Sequence, residues 1–232
     1  MRHTSFLTGL SILLGFGSCV KDYGPSTETV LIDFRPEVTI TPSRAIMQRG
    51  DTLWLEMNSI DSLFDSNTGK RYRVRPQDFA LRSNIFFKQL VGIGRDPVGI
   101  APTFRIVEKV GQTSISGSLS GMFKPTYDGS HYRARIGLIP TVSGVTAISM
   151  SMVLIEDTRN REGLMPFIKL PRTPQGLEQI AVFGRAIYNI NQGKANNFDL
   201  YSRHTRAIAL EPNPPPQQPY YETNSTFTIE VK

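Results

Sequence analysis

The chain has 232 residues, 39% of them hydrophobic and 20% charged, with a formal net charge of +6. That balance excludes intrinsic disorder and is enough to bury a core, in one domain by default, since sandwiches of over about 200 residues often form a single unit. A single cysteine excludes an internal disulfide framework, and so modest a basic excess does not argue for nucleic-acid binding.

The chain starts with a short basic stretch, Met1-Arg2-His3, followed by Phe6 to Phe16, which is apolar apart from Thr8, Ser11 and two glycines. A membrane-spanning helix needs roughly 20 apolar residues, and this run is little more than half of that. Residues 1–18 therefore read as a signal peptide, with the small pair Gly17-Ser18 leaving the backbone before Cys19 open to a peptidase. Phe16-Gly17-Ser18-Cys19 resembles a bacterial lipobox. The resemblance implies that the Cys19 thiol is diacylglyceryl-modified and that Cys19 becomes the lipidated first residue. Cys19-Val20-Lys21-Asp22-Tyr23 is similar to the Lys-plus-acid export signal of Bacteroidetes-type surface lipoproteins, which implies an outer-membrane location facing the cell exterior. The alternative, an ordinary secretory signal with a chance cysteine, would leave an exported free thiol open to oxidation. Two or more acyl chains make a lasting anchor where one holds only marginally. The protein is then anchored to the membrane and not embedded in it. Cleavage removes Arg2 and leaves 25 cationic against 20 acidic side chains, a net +5 that suits an anionic partner such as an acidic glycan.

Residues 19–29, polar and carrying Gly24-Pro25-Ser26, read as a tether, and residues 30–232 as the folded domain. Val30-Leu31-Ile32 with Phe34 opens it, and Pro36 and Pro42 predict an edge segment. Arg49-Gly50-Asp51 reads as a turn feeding Thr52 to Met57, where a period of two puts Leu53, Leu55 and Met57 on one face and Thr52, Trp54 and Glu56 on the other. Arg71 to Arg75 and His131 to Ile136 alternate as strictly. Phe104 to Val110, Val145 to Ile155 and Thr226 to Val231 are further strands, with Val145 to Ile155, apolar on both faces, as the central one. Thr173-Pro174 through Asn191 predicts a helix, with Thr173 as cap and Leu177, Ile180, Ala181, Gly184, Ile187 and Tyr188 at helical spacing. Asn196 to His204 reads as a second short helix or, almost as well, a strand, and Glu211 to Pro219 as an extended proline loop. Many short strands with one helical interruption predict an all-β fold. It is an antiparallel β-sandwich of immunoglobulin-like architecture, with a helical insertion at about 174–204.

Few patterns carry chemistry. Residues 19–232 hold two histidines, His131 and His204, and no Gly-x-Ser-x-Gly, and the serine-rich Thr113 to Gly121 alternates as a strand and turn would. No His-x-His, His-Glu-x-x-His or cysteine pair predicts a metal, and Gly92 to Gly99 lacks the third fingerprint glycine of a dinucleotide site, so no cofactor is expected. Asp61, Asp65 and Asn67 put oxygens close together, but Gly69 takes the place of a third calcium ligand, which favours a solvated turn.

The more physical feature is the cations. With Tyr72 and Val74 inward, Arg71, Arg73 and Arg75 face out; with Tyr132, Ala134 and Ile136 inward, so do His131, Arg133 and Arg135. If the two strands are neighbours they form one basic face, whose guanidinium forks suit carboxylate or phosphate. The plainer reading is that charged strand faces prevent association. Trp54 is expected to pack in the core, although an exposed aromatic there, or at Tyr220-Tyr221, would stack on a sugar ring. The sequence thus predicts a lipid-anchored envelope module that binds a glycan or an envelope protein. The alternatives are a polysaccharide- or peptide-acting hydrolase whose carboxylates the sequence does not pair, and a purely structural envelope component.

Overall fold

The computed structural model describes residues 27–153, 164–215 and 218–232. The signal segment, Cys19, most of the tether and the end of the expected Val145 to Ile155 strand lie outside them. In chain order the strands are β1 (Glu28–Phe34), β2 (Glu37–Thr41), β3 (Ile46–Met47), β4 (Leu53–Ile60), β5 (Ser62–Phe64), β6 (Arg71–Arg73), β7 (Ser83–Gln89), β8 (Val98–Gly99) and β9 (Phe104–Val110). They continue with β10 (Gln112–Ser116), β11 (Ser120–Lys124), β12 (Thr126–Tyr127), β13 (His131–Pro140), β14 (Gly144–Val153), β15 (Gln179–Ile187), β16 (Asn189–Ile190) and β17 (Thr226–Val231). Two short helices, α1 (Phe198–His204) and α2 (Gln218–Asn224), precede β17.

A nine-stranded sheet runs β1-β15-β14-β7-β11-β10, with β17 on β14, β3 on β17 and β8 on β7. A six-stranded sheet runs β12-β13-β4-β2-β16, with β9 on β13. The inner faces meet in one core, where Phe87 of the large sheet lies 4.6 Å from Phe104 of the small one. The fold is thus a β-sandwich, as expected. Strict alternation builds it: Leu53, Leu55 and Met57 are buried while Trp54 and Glu56 are not, and Tyr132, Ala134, Ile136 and Leu138 face them across the β4–β13 register. β14 is central, bonded to β7 on one side and to β15 and β17 on the other.

Two expectations change. The sandwich is mixed, because β1–β15, β2–β16 and β3–β17 run parallel. The helix expected over Thr173 to Asn191 is instead strand β15, sealed between β1 and β14. Thr173 does accept a hydrogen bond, from the Leu177 N–H at 3.1 Å, but within a turn made possible by Gly176 at φ +83. The helical part shrinks to α1, inside the expected Asn196 to His204 stretch, and to α2, where the end of the proline loop and Tyr220-Tyr221 are helical. Both helices lie against the large sheet: the Tyr221 and Ser149 hydroxyls share a hydrogen bond of 2.7 Å, and the Asn197 amide donates to the Thr228 carbonyl at 2.8 Å. Among the described residues no helix is long and apolar enough to cross a membrane.

Candidate functional site

The outward residues of β6 and β13 face as alternation predicts, with Arg71, Arg73, Arg133 and Arg135 exposed and His131 and Arg75 half-buried. The strands are not neighbours. β6 pairs only with β5, in a separate two-stranded sheet, so the single basic face is not formed. Carboxylates answer most of these cations. Arg73 Nε donates to Asp61 at 2.9 Å, Arg135 Nε lies 3.0 Å from Glu56 in an ion pair, Arg133 pairs with Asp128, and Arg75 lies 3.8 Å from Asp78. The exposed pairs of Arg75, Arg133 and Arg135 are worth about 0–1 kcal/mol each and mainly cancel charge. Trp54 is not in the core: it lies half-buried on the outer face of β4, opposite Gly137, with the Arg135 guanidinium 4.8 Å from its ring centroid.

The Asp61 to Lys70 stretch is not a solvated cation loop. Asp61 and Asp65 are buried, and their oxygens are engaged with Arg73 and Tyr127 in one case and with Asp33, Asn67 and Thr68 in the other. Among the described residues no group of three or more His, Cys, Asp or Glu could hold a metal. The Ser130 hydroxyl lies 2.8 Å from His131 Nδ1, but Asp128 bonds the serine and the backbone here, not the imidazole. That is a turn cap on an exposed hairpin, not the relay of a nucleophile.

This turn sets an acid response. The N–H groups of His131 and Ser130, then Arg133, hold the Asp128 carboxyl well below its ordinary value of 3.8. Burial pushes Asp61 up, but hydrogen bonds from Arg73 and Tyr127 outweigh it and the net shift is downward. A folded-state pKa below the unfolded one gives a stabilisation complete above about pH 4 and lost as pH falls further. The melting temperature is therefore expected to drop between about pH 4 and pH 2, and Asp128→Asn to flatten that slope in thermal melts. An unchanged slope in the variant would remove Asp128 from the account.

A cleft of about 310 Å³ lies beside the β5–β6 hairpin. Its first wall is the corner after β1, where Pro36 turns the chain from the large sheet to the small one and leaves Arg35 and Glu37 on the cleft. Its second wall is the hairpin, which contributes Phe64, Ser66, Asn67 and Arg71; Asn189 of β16 and Tyr220 of α2 complete it. The hairpin is latched along the outer edge of β1. Arg35 N–H donates to Phe64 O at 3.0 Å, Ser66 N–H to Asp33 O at 2.9 Å, and the Asn67 amide to Leu31 O at 2.9 Å. An edge strand that would otherwise expose unpaired backbone is thereby covered.

Two guanidinium groups of this cleft lie over aromatic rings. Arg35 lies 4.3 Å from the Tyr220 ring centroid and Arg71 6.0 Å from that of Phe64, with Arg71 Nη1 also bonded to Ser62 O at 2.9 Å. Burial lowers the Arg35 pKa, and Tyr220 and Asp33 oppose that shift. Asp33, 2% exposed, stands behind Arg35 and takes Arg185 Nε at 2.9 Å. Burial likewise pushes the Tyr220 phenol up, with the neighbouring Arg35 pulling it down. The cleft therefore offers fixed cations, two aromatic rings, amides and one carboxylate.

No family model and no curated protein matches the chain. Among solved structures it is similar to the human F-spondin reeler domain (fragment 1), at 11% identity and a TM-score of 0.30 over 70% of this chain and 89% of that one. It is similar also to a non-cellulosomal cohesin from the hyperthermophilic archaeon Archaeoglobus fulgidus, at 8% identity and a TM-score of 0.20 over 69% of this chain and 89% of that one. The strand pairings by themselves define the sandwich.

Of the residues singled out from sequence, Arg71 lines the cleft, and Tyr220, noted as a sugar-stacking candidate, reaches it too. Asn67, noted from sequence only as an oxygen beside Asp61 and Asp65, lines it as well, whereas Arg35, Glu37 and Asn189 were missed as site residues. The one local signal was the Arg-Pro pair at 35–36, which marks a corner without showing what faces it.

Proposed function

We propose that the protein is a non-catalytic binding module of the cell envelope, held at the outer membrane by lipid on Cys19 and displaying the Arg35–Tyr220 cleft outward to a glycan. The observation that carries this reading is the cleft itself: two aromatic rings, amides and a carboxylate around an open concavity suit a sugar, whose apolar face stacks and whose hydroxyls hydrogen-bond. The lipobox-like Phe16-Gly17-Ser18-Cys19 supports the anchor, and the polar stretch after it supports a tether that gives reach. Membrane fractionation and surface protease access on intact cells test the anchor: native protein is expected in the outer membrane and shaved from outside, with Cys19→Ala released. A glycan array tests the cleft, with Tyr220→Ala expected to lose the bound signal. Soluble, periplasmic native protein would sink the anchor, and an array unaffected by Tyr220→Ala would sink the cleft.

A second reading, docking of an envelope protein, is favoured by a different surface. Ile93 is 67% and Val98 51% exposed, with Val91 and Leu119 beside them in exposure, on the tips of the β7–β8 and β10–β11 hairpins. The β10–β11 tip abuts strand β8, since a Cβ on Gly99 would lie within 2.9 Å of the Ser118 and Leu119 backbone. Exposed apolar clusters mark protein contacts. Loss of a co-purifying envelope protein on Ile93→Asp would favour this reading over the cleft.

A further inference from the structure

Two features on the outer face of the large sheet belong neither to the cleft nor to the hairpin tips. The first is a concavity of about 410 Å³ where β7, β11 and β10 meet Glu108 of β9. Arg82 and Lys124 line it, with Gln112, Ser114 and Met122. Pairing of β7 with β11 runs as far as Ser83–Phe123, and the next pair in register is Arg82–Lys124. Like charges directly opposite repel. Arg73, Arg133 and Arg135 each meet a carboxylate, but the side chains of Arg82 and Lys124 have no hydrogen bond or ion pair among the described residues. Glu108 does not relieve them, because it accepts from the Thr113 N–H and pairs with neither cation. The second feature is an aliphatic row. Leu31 of β1 stands in register with Val182 of β15, and Val182 bridges to Leu164. Leu31 is 53% and Leu164 38% exposed, and Ile180, two residues along β15, is 37% exposed.

Both features lie at one end of the sheet, the end at which the chain enters it. β14 meets β15 only at its last residues, from Ser151–Ile187 to Val153–Arg185. The start of β15, and of β1 paired with it from Glu28–Gln179, therefore projects beyond that end. Ser151 also pairs with Asn84, which puts Arg82 and, through β11, Lys124 at the same end. The Ile93 tip is at the other, beyond the Gln89–Thr146 pair. Glu28 is nine residues from Cys19, a span of at most about 32 Å. Lipid on Cys19 thus keeps this end of the sandwich close to the bilayer.

Resting on the lipid anchor of the reading above, we infer that this end is a membrane-facing surface. It takes a phospholipid headgroup phosphate between Arg82 and Lys124, with Leu31, Leu164 and Ile180 against the acyl boundary. A phosphate offers anionic oxygens to two donors at once, so it relieves the repulsion between the guanidinium and the ammonium. Gln112 and Ser114 add neutral donors beside them. An aliphatic patch together with unpaired cations is the combination that holds peripheral proteins on anionic bilayers. The contact is weak by itself, and the tether makes it effective by keeping the surface near lipid. It orients the sandwich while the acyl chains hold it, so Cys19→Ala is still released.

The test uses residues 19–232 with Cys19→Ser, so that no acyl chain contributes, floated with vesicles of phosphatidylcholine alone or with about one-third phosphatidylglycerol. Binding to the anionic vesicles is expected to be about tenfold or more stronger than to phosphatidylcholine, and to fall as salt is raised. Arg82→Ala with Lys124→Ala is expected to weaken it about twentyfold, and Leu31→Ser about fivefold with the salt dependence kept. Arg49→Ala with Arg95→Ala removes the same charge from the opposite end and is expected to leave binding unchanged. All five side chains are exposed, so the variants are expected to fold like the parent, as a thermal melt checks. Equal flotation with the two kinds of vesicle, or equal losses in the two double variants, would overturn the inference. Failure of the anchor is read separately, in the fractionation of native protein, because the vesicle assay contains no acylated cysteine.

Discussion

Replacing Asp65 by alanine is expected to lower the unfolding free energy by about 4 kcal/mol, measured by urea denaturation. The carboxylate is 0% exposed and accepts from the Asp33 N–H at 2.6 Å, the Thr68 N–H at 2.9 Å, the Asn67 N–H at 3.3 Å and the Thr68 hydroxyl. Truncation leaves these donors without their acceptor, at about 1–3 kcal/mol for each one that water does not reach. Relaxation of the 66–69 turn offsets part of that sum. Asp65→Asn keeps one carbonyl oxygen and is expected to cost about half as much, because its amide nitrogen then meets a donor. The effect extends to the cleft: Asp65 ties the β5–β6 hairpin to β1, so Phe64 and Arg71 lose their mounting in the alanine variant. An alanine variant within 1 kcal/mol of the parent would show that the latch is held by the backbone bonds alone.

That latch also explains where sequence reasoning stopped. Alternation made the inner faces of β4 and β13 legible, because a strand with one buried face must repeat every second residue. The two-faced apolar run from Val145 was legible as the central strand for the complementary reason, being covered on both sides. Strand β15 was not. Ile180, Ala181, Gly184, Ile187 and Tyr188 satisfy a helical period, and the preceding Thr-Pro pair imitates a helix start. What decides is non-local: β1 pairs along β15 from Glu28–Gln179 to Phe34–Ala186, and no window on residues 174–191 contains that partner. The charged faces failed in the opposite way. The direction of each arginine was right, but Asp61, Asp78, Asp128 and Glu56, which neutralise them, sit on other segments or across a turn. The cleft draws on residues 35–37, 64–71, 189 and 220, so only the fold brings it together.

Gly184→Ala is expected to cost about 3 kcal/mol and to weaken the cleft from behind, which makes this glycine the most informative single position on β15. Pairing between β1 and β15 slips between Ile32–Phe183 and Asp33–Arg185, so Gly184 is the extra residue of a bulge. A Cβ added there would lie 2.3 Å from Asp33 Oδ1, far inside contact distance. The neighbour is a carboxylate 2% exposed and held by Arg185 at 2.9 Å, so it gives way only by surrendering that pair. Breaking a buried pair by displacing one partner costs about 3–5 kcal/mol, and the part-exposed Arg185 places this case at the lower end. Asp33 also opposes the lowering of the Arg35 pKa by burial, so its displacement disturbs the Arg35–Tyr220 contact as well. A double-mutant cycle separates this account from general crowding. With Asp33→Ala in place the obstacle is gone, and Gly184→Ala is then expected to cost under about 1 kcal/mol, giving a coupling of about 2 kcal/mol. Additive losses would mean that the alanine strains the β15 backbone itself, and the carboxylate would no longer explain why glycine stands at this bulge.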